Sequence, residues 1–404
     1  MRRLNKNIVI FIITFSIIVA GLFSPDFLKG IYNSFRELTN FLLLDNSVTA
    51  FARFTDNVEM ASSQGLLYHK DFVDLNSAVQ KNMGTAIVYK DDMAVVRSKT
   101  GYLSYVRDEI SKETLKHRAE NVKELYKVAE KNGAEFMYVM APAKGYNMEY
   151  PENIIDFNKA NCDSFIEELK NKGVPYYSII SQMEKDGITE EEMFFVTDHH
   201  WKPEYALWAS GKVAEELDKR FGFIYDKSKF EIENYNEERY EDWFLGSQGK
   251  KTGQYFTPLG LDDISIFTPK FKTSFINTIV GKDYSVQGSF EDVLIHKDHI
   301  KEKDLYNKNP YATYLGGDYR EQIIQNTENK DGKRVLILKD SFSCAFAPFF
   351  STVTQETYLL DMRDFDEFKG DRINVAKYIE ETKPDIVLVM YTGVTSEDKM
   401  YEFK

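Results

Sequence analysis

Cysteine is almost absent from this sequence, which has only Cys162 and Cys344 among its 404 residues. Domains that depend on a disulfide framework are far richer in cysteine, so a disulfide scaffold is excluded whether or not these two residues pair. Internal repeats and low-complexity runs are absent as well. Hydrophobic residues make up 43% of the chain, which excludes a disordered or collagen-like protein and predicts a sizeable core.

Basic residues are too few to balance the acidic ones: 51 Lys and Arg stand against 64 Asp and Glu, for a net charge of −13. The first 24 residues hold three basic residues and no acidic one, so the rest of the chain carries −16. Nucleic-acid binding needs clustered Lys and Arg, so nucleic acid is not expected as a partner.

Long apolar runs are also rare, and the one exception is residues 8–23, which follow the basic segment MRRLNKN. A basic segment before an apolar stretch is typical of an export signal. We expect residues 1–24 to be an uncleaved membrane anchor with the body on the extracytoplasmic side, because positive residues stay inside. A cleaved signal, which would give a secreted protein, and a buried core helix are the alternatives.

The rest of the chain predicts an α/β domain. Residues 25–105 look like a juxtamembrane stretch and a leading β region, with a hairpin around Asp91 and Asp92. Residues 106–180 alternate between helix and strand, and the alternation returns from residue 334 to the C-terminus, which is typical of a parallel sheet. The segment at about 222–330 is aromatic and polar. We interpret it as a β-rich insertion in one domain covering 106–404, with a separate carbohydrate-binding lobe as the alternative.

Two neighbouring histidines mark the first candidate site, in the string FFVTDHHWKPEYA. In an extended segment Asp198 and His200 would point to one side and His199 to the other. A carboxylate beside an imidazole fixes its tautomer and stabilises the imidazolium, as a base in acyl transfer requires. No H-E-x-x-H or H-x-H spacing occurs, so neither a metal nor a cofactor is expected.

A serine marks the second candidate site, in VLILKDSFSCAF. Ser341 falls between a buried strand and the following helix, where its hydroxyl would lie at the carboxyl edge of the sheet. The helix N-terminus that follows can stabilise negative charge. The string is not a G-x-S-x-G elbow, because Lys339 and Ser343 take the glycine positions. Ser341 could also serve only as a helix cap.

The D-H-H-W string, followed by P-E-x-A and a later D-S-F, resembles the DHHW proteins of Gram-positive bacteria over roughly residues 80–404. Those proteins are similar to the alginate O-acetylation proteins. The resemblance implies an SGNH-hydrolase-like three-layer α/β/α sandwich with a parallel sheet and a permuted order of site residues. It implies Ser341 as nucleophile with Asp198 and His200 as the dyad, and Tyr391 as an oxyanion ligand. It further implies acetyl transfer to a cell-surface polysaccharide and a membrane acyltransferase that supplies the acetyl groups.

Three further residues are candidates for substrate binding. Lys144 and Arg363 follow predicted strands, where they could meet a glycan or be solvated loop charges. His199 is either structural or faces the substrate. The residues alone predict only serine acyl chemistry, since transferases and esterases share one triad. A carbohydrate esterase and a non-catalytic glycan-binding or scaffold protein of the same fold therefore remain alternatives.

Overall fold

The computed structural model describes residues 69–90, 93–363, 372–393 and 397–403. The chain divides into two compact units, Met1–Gln80 and Lys81–Lys404. Helix α1 (His69–Asn82) covers the described part of the first unit. The predicted anchor at 1–24 lies outside the described residues. Among the described residues, no helix is both long enough and apolar enough to cross a membrane.

The second unit is built on an eight-stranded sheet with the order β5-β4-β13-β11-β12-β10-β8-β9. The first five strands in this order are parallel, as the alternation of helix and strand predicts. They are β4 (Glu135–Ala141), β5 (Tyr176–Ser178), β11 (Arg334–Lys339), β12 (Glu356–Asp361) and β13 (Ile386–Thr392). The expected α/β fold with a mostly parallel sheet is confirmed.

The remaining three strands are antiparallel and extend the parallel part of the sheet beyond β12. They are β8 (Phe275–Ile279), β9 (Tyr284–Gly288) and β10 (Glu321–Asn326). Each pairs antiparallel with its neighbours, and β10 joins them to β12. These strands come from the segment at 222–330, so that part of the segment continues the central sheet. The same segment also forms a two-stranded ribbon, β6 (Tyr235–Phe244) with β7 (Asp262–Pro269).

Side chains alternate across the parallel strands and build a core on each face of the sheet. On β4, Phe136 and Tyr138 join a cluster with helices α2, α3 and α10, whereas Met137 and Val139 join a cluster with α6 and α9. The sheet is thus buried between two helical layers. The larger helices are α2 (Lys112–Lys131), α3 (Asn158–Asn171), α6 (Pro203–Phe221), α9 (Ser343–Phe350) and α10 (Val375–Thr382).

Serine caps explain where helix α2 begins and where strand β5 ends. Helix α2 begins at Lys112, later than predicted, because the Ser111 side chain accepts a hydrogen bond from the Thr114 N–H and caps the helix there. The strand predicted for 174–180 stops at Ser178, which caps α4 (Ile179–Lys185). The predicted hairpin is present as β1 (Ile87–Lys90) and β2 (Met93–Arg97), and β3 (Leu103–Tyr105) completes a small sheet. The short helices are α5 (Glu190–Met193), α7 (Ser247–Thr252) and α8 (Phe290–Leu294).

Candidate active site

The three residues predicted to form the triad meet at the carboxyl edge of the sheet. The imidazole Nε2 of His200 lies 2.8 Å from the hydroxyl oxygen of Ser341, and its Nδ1 lies 2.5 Å from an oxygen of Asp198. All three side chains therefore form one hydrogen-bonded chain. Ser341 lies between β11 and α9, as the strand-to-helix pattern predicts, and Asp198 and His200 lie just before α6, which begins at Pro203.

The Asp198 carboxylate is buried, yet its environment favours the ionised form. Burial raises its pKa, but the His200 and His199 imidazoles and hydrogen bonds to the carboxylate outweigh burial and hold the pKa well below its usual range. One of these bonds comes from the backbone N–H of Ser247, 2.6 Å away at the start of α7. An ionised Asp198 can accept a hydrogen bond from the Nδ1–H of His200. The proton is then on Nδ1, so Nε2 is free to accept a hydrogen bond from the Ser341 hydroxyl.

Gly246 allows α7 to approach this carboxylate. A Cβ atom at position 246 would lie 2.1 Å from the Cβ of Asp198, so any side chain would displace the acid. The segment at 246–253, which the sequence indicates only as a loop, thus supplies both the close approach and the N–H donor. Neither Gly246 nor Ser247 carries a signal by which the sequence alone would identify it as part of the site.

Aromatic rings fix the plane of the His200 imidazole. The ring of Tyr311 stacks on it with centroids 4.1 Å apart, and the ring of Phe342 lies 5.1 Å away. The Trp201 indole N–H and the Tyr311 hydroxyl both donate to the Phe342 carbonyl, at 3.2 and 3.3 Å. Phe342, the residue after Ser341, is therefore hydrogen-bonded to both Trp201 and Tyr311.

Lys144 corrects a prediction, because it is buried and faces the backbone of the D-H-H-W segment instead of a substrate. Its Nζ lies 2.7 Å from the carbonyl oxygens of Phe195 and Asp198 and 3.0 Å from that of Val196. The Gln248 side chain supplies a fourth oxygen at 3.0 Å. Burial lowers the pKa of Lys144 to about 7. We assign Lys144 as a positioning residue for Asp198.

Asp262 holds the D-H-H-W segment by accepting hydrogen bonds from the N–H groups just before Asp198. Its carboxylate accepts from the backbone N–H groups of Val196 and Thr197, at 2.5 and 2.7 Å, and from the Thr197 hydroxyl. The Thr197 hydroxyl oxygen in turn accepts from the Gly246 N–H at 2.8 Å. The carbonyls next to Asp198 are thus bonded by the Lys144 side chain, which follows β4, and the N–H groups by the Asp262 carboxylate at the start of β7. Asp262 carries no motif of its own by which the sequence would identify it.

His199 lies beside the triad but not within it. Its ring centroid is 3.9 Å from that of His200, and its Nδ1 lies 2.8 Å from the Ser247 hydroxyl. About a third of its side chain is exposed, and burial of the remainder together with the His200 charge lowers its pKa. His199 is therefore neutral at pH 7 and lies where it can contact a bound substrate.

Arg363 and Lys339 belong to a buried ion-pair network. Lys339 lies within 3.5 Å of Asp361 and pairs with Asp318, while Arg363 pairs with the same two carboxylates. Burial opposes ionisation of Asp318, but the two cations outweigh it and keep its pKa below the usual range. Arg363 is thus neutralised inside the protein. This corrects both proposed roles for Arg363, a glycan ligand and a solvated loop charge.

Tyr391 does not reach the triad. It is fully buried in the cluster on the α2 face of the sheet, and its hydroxyl donates to the Met400 carbonyl at 3.2 Å. The prediction that Tyr391 binds an oxyanion is therefore wrong, because successive residues on a strand point to opposite faces. The next residue, Thr392, donates its N–H to Asp340 at 2.8 Å and so supports the turn that carries Ser341.

The donor set of a metal site is present but occupied. Ligand atoms of Asp198, His199 and His200 lie within 4.8 Å of one another. Both ring nitrogens of His200 already face hydrogen-bond partners, and Asp198 faces His200 and Ser247. Metal binding would replace the triad contacts.

Cys162 and Cys344 are both buried free thiols, so they do not form a disulfide in this structure.

Comparison with known proteins bears on this arrangement. A family model described as an SGNH hydrolase-like domain, acetyltransferase AlgX, matches residues 100–254, which include Asp198 and His200. The match confirms the predicted resemblance. No curated protein sequence matches the chain.

Solved structures share the fold. Bacillus cereus PatB1 with a sulfonyl adduct is similar with a TM-score of 0.62 and 20% identity, over 78% of this chain and 100% of that chain. A DHHW family protein from Eubacterium siraeum is similar with a TM-score of 0.57 and 20% identity, over 78% and 96% of the two chains. At 20% identity these similarities show the fold and do not show which activity this chain has.

Replacing Gly246 with alanine should disable Ser341 without unfolding the chain. The added methyl group displaces Asp198, and misplacement by about 1 Å costs on the order of a hundredfold in rate. The rate at which a sulfonyl fluoride labels Ser341, followed by mass spectrometry, measures the effect. Gly211→Ala adds the same group on α6, against Phe230, and should label at the wild-type rate. Equal rates for both variants would contradict this account of Gly246.

Replacing Lys144 with methionine should lower both labelling and stability. The change leaves three carbonyls without a charged partner, and each unmet buried group costs about 1–3 kcal/mol. We expect labelling of the folded fraction to fall at least tenfold, measured with urea unfolding on the same samples. Lys202→Met is the control, because the Lys202 side chain also bonds backbone carbonyls, but those of Glu191 and Glu192 and none of the three that Lys144 bonds. Wild-type labelling in Lys144→Met would exclude the positioning role.

Proposed function

We propose that this protein is a serine acyl-transfer enzyme, an O-acetyltransferase that acts on a cell-surface polysaccharide outside the membrane. The observation that carries the proposal is the hydrogen-bonded chain from Asp198 through His200 to Ser341. Three side chains separated by up to 143 positions meet in the order that nucleophilic acyl chemistry requires. If Ser341 served only as a helix cap, its role would require neither His200 nor Asp198.

The geometry supports a first half-reaction in which the acetyl group moves to the enzyme. The Ser341 oxygen attacks the acetyl carbonyl while His200 Nε2 removes the hydroxyl proton. The resulting imidazolium is stabilised by the ionised Asp198. The backbone N–H of Ser341 donates to no residue in the described part of the chain, so it is available to the oxyanion. Collapse releases the donor alcohol, protonated by His200, and leaves an acetyl ester on Ser341.

In the second half-reaction the acetyl ester passes to an acceptor. A glycan hydroxyl gives its proton to His200 and attacks the ester carbonyl, and Ser341 leaves with that proton. Water in place of the glycan would make the same site an esterase. Transfer is favoured here by the match to a family described as an acetyltransferase over residues 100–254.

Location and partners belong to the same proposal. The basic and apolar N-terminus supports an anchor at 1–24 with the body on the extracytoplasmic side. Acetyl groups made inside the cell must then cross the membrane, which requires a membrane-bound acyltransferase as partner. The acidic body, at −16, is consistent with an enzyme that does not bind nucleic acid.

Labelling and turnover at Ser341 test the chemistry. Wild type should form an adduct with a sulfonyl fluoride and cleave a chromogenic acetate. Ser341→Ala and His200→Ala should each lose turnover by several orders of magnitude, since triad members act as a unit. Peptide mass spectrometry of the adduct and initial rates on the acetate measure the two effects.

Ser343→Ala is the matched control. Ser343 is a buried neighbour whose hydroxyl has no hydrogen-bond partner among the described residues, so its loss should leave the adduct on Ser341 in place. A wild-type protein without adduct or turnover would favour the non-catalytic scaffold. Acetate release that added polysaccharide neither accelerates nor diverts to an acetylated glycan would favour the esterase.

A further inference from the structure

Arg107 stands out because its guanidinium has no hydrogen bond or ion pair with any residue that the structure describes, although its backbone is firmly held. The Arg107 N–H donates to the Asp156 carboxylate at 2.8 Å, and the Arg107 carbonyl accepts from the Phe157 N–H at 3.0 Å. The residue lies two positions after the end of β3. Its backbone is therefore fixed, while its charged end contacts only the face of the Tyr105 ring and forms no hydrogen bond with a described residue.

An unpaired guanidinium in a half-buried place is costly. Burial lowers the pKa of Arg107, and the nearby Tyr105 and Asp156 offset this only in part. Arg118, which is buried, meets this cost by pairing with Asp398. Nothing inside the described structure does the same for Arg107. A cation held in this way is suited to an anion that comes from outside the chain.

The guanidinium is connected to the triad region through the rings of Tyr105 and His199. Its carbon is 5.5 Å from the centre of the Tyr105 ring, which is 5.8 Å from the His199 ring. Burial is the main cause that lowers the pKa of His199, followed by the charge of His200, and the charge of Arg107 adds a smaller effect in the same direction. The Tyr105 hydroxyl also lies 3.3 Å from the Ser247 hydroxyl, to which His199 is bonded. A ligand on Arg107 would thus pass over the partly exposed His199.

We propose that Arg107 binds an anionic group of the acceptor glycan, a carboxylate or a phosphate, beside the reacting hydroxyl. This inference rests on the proposed function for the identity of the ligand as an acceptor. The planar fork of a guanidinium matches both anions through two parallel hydrogen bonds. An acidic protein repels an anionic polymer over most of its surface, so an unpaired cation next to the triad selects where and in which register the polymer binds.

Titration of the full chain with three defined oligosaccharides tests the proposal without turnover. The probes are an oligogalacturonate, which carries carboxylates, a glycerol-phosphate oligomer, and a neutral xylo-oligosaccharide. Arg107→Gln should weaken binding of at least one acidic probe about tenfold or more, and Arg107→Lys should restore part of the loss. Loss confined to one acidic probe would identify the anion as carboxylate or as phosphate.

Arg220→Gln is the matched control, since it removes the same charge from an ion pair on α6. It should leave all three affinities unchanged. The inference is overturned if wild type binds neither acidic probe more tightly than the neutral one, or if Arg107→Gln and Arg220→Gln behave alike. Sulfonyl labelling of Ser341 in the same wild-type sample tests the proposed function separately, so a labelled protein with no preference for acidic probes refutes only the role of Arg107.

Discussion

The contact between Asp198 and the Nδ1 of His200 controls the whole site, because it depends on a carboxylate that is charged and yet dry. Burial alone raises the pKa of Asp198 and so favours the protonated acid, which would no longer fix the tautomer of His200. Two imidazoles and the Ser247 N–H tip this balance toward the ionised form. Most of the surrounding architecture can be understood as the means of keeping those donors in place.

Two side chains, Lys144 and Asp262, hold the backbone that carries Asp198 by hydrogen-bonding its carbonyls and its N–H groups. Lys144 donates to the carbonyls of residues 195, 196 and 198, and Asp262 accepts from the N–H groups of residues 196 and 197. An extended segment presents both kinds of group alternately, so one charge cannot satisfy it. Because Lys144 lies three residues after β4 and Asp262 is the first residue of β7, the D-H-H-W segment is bonded to both the parallel sheet and the ribbon. A shift of either element would move Asp198.

The sequence was sufficient for the parts of the structure that follow a periodic pattern or a motif. The five parallel strands appear as apolar runs, and Pro203 begins its helix as predicted. Asp198, His200 and Ser341 carry a joint motif, and the structure brings them together. Their roles in catalysis remain predictions until they are tested by labelling.

What the sequence did not predict depends on contacts between distant positions. Lys144 and Arg363 both follow strands, and the sequence gives no sign that one bonds backbone carbonyls and the other two carboxylates. Gly246 matters for a distance to a residue 48 positions away, which no local pattern encodes. Tyr391 was assigned by resemblance, and the pleat of β13 directs its hydroxyl to the other face. Boundaries such as the start of α2 depended on a single cap.

The segment at 222–330 is part of the site as well as of the sheet. Its Tyr311 covers the imidazole of His200, and its Asp318 pairs with Lys339, two residues before Ser341. A charged lysine at the end of a buried strand is tolerable only with such partners. The chain that leads into β10 therefore fixes the base from one side and the turn of the nucleophile from another. Removal of this segment would leave Lys339 in the core without Asp318, with only Asp361 shared with Arg363, and would uncover the imidazole, so the parallel sheet alone would not form a working triad.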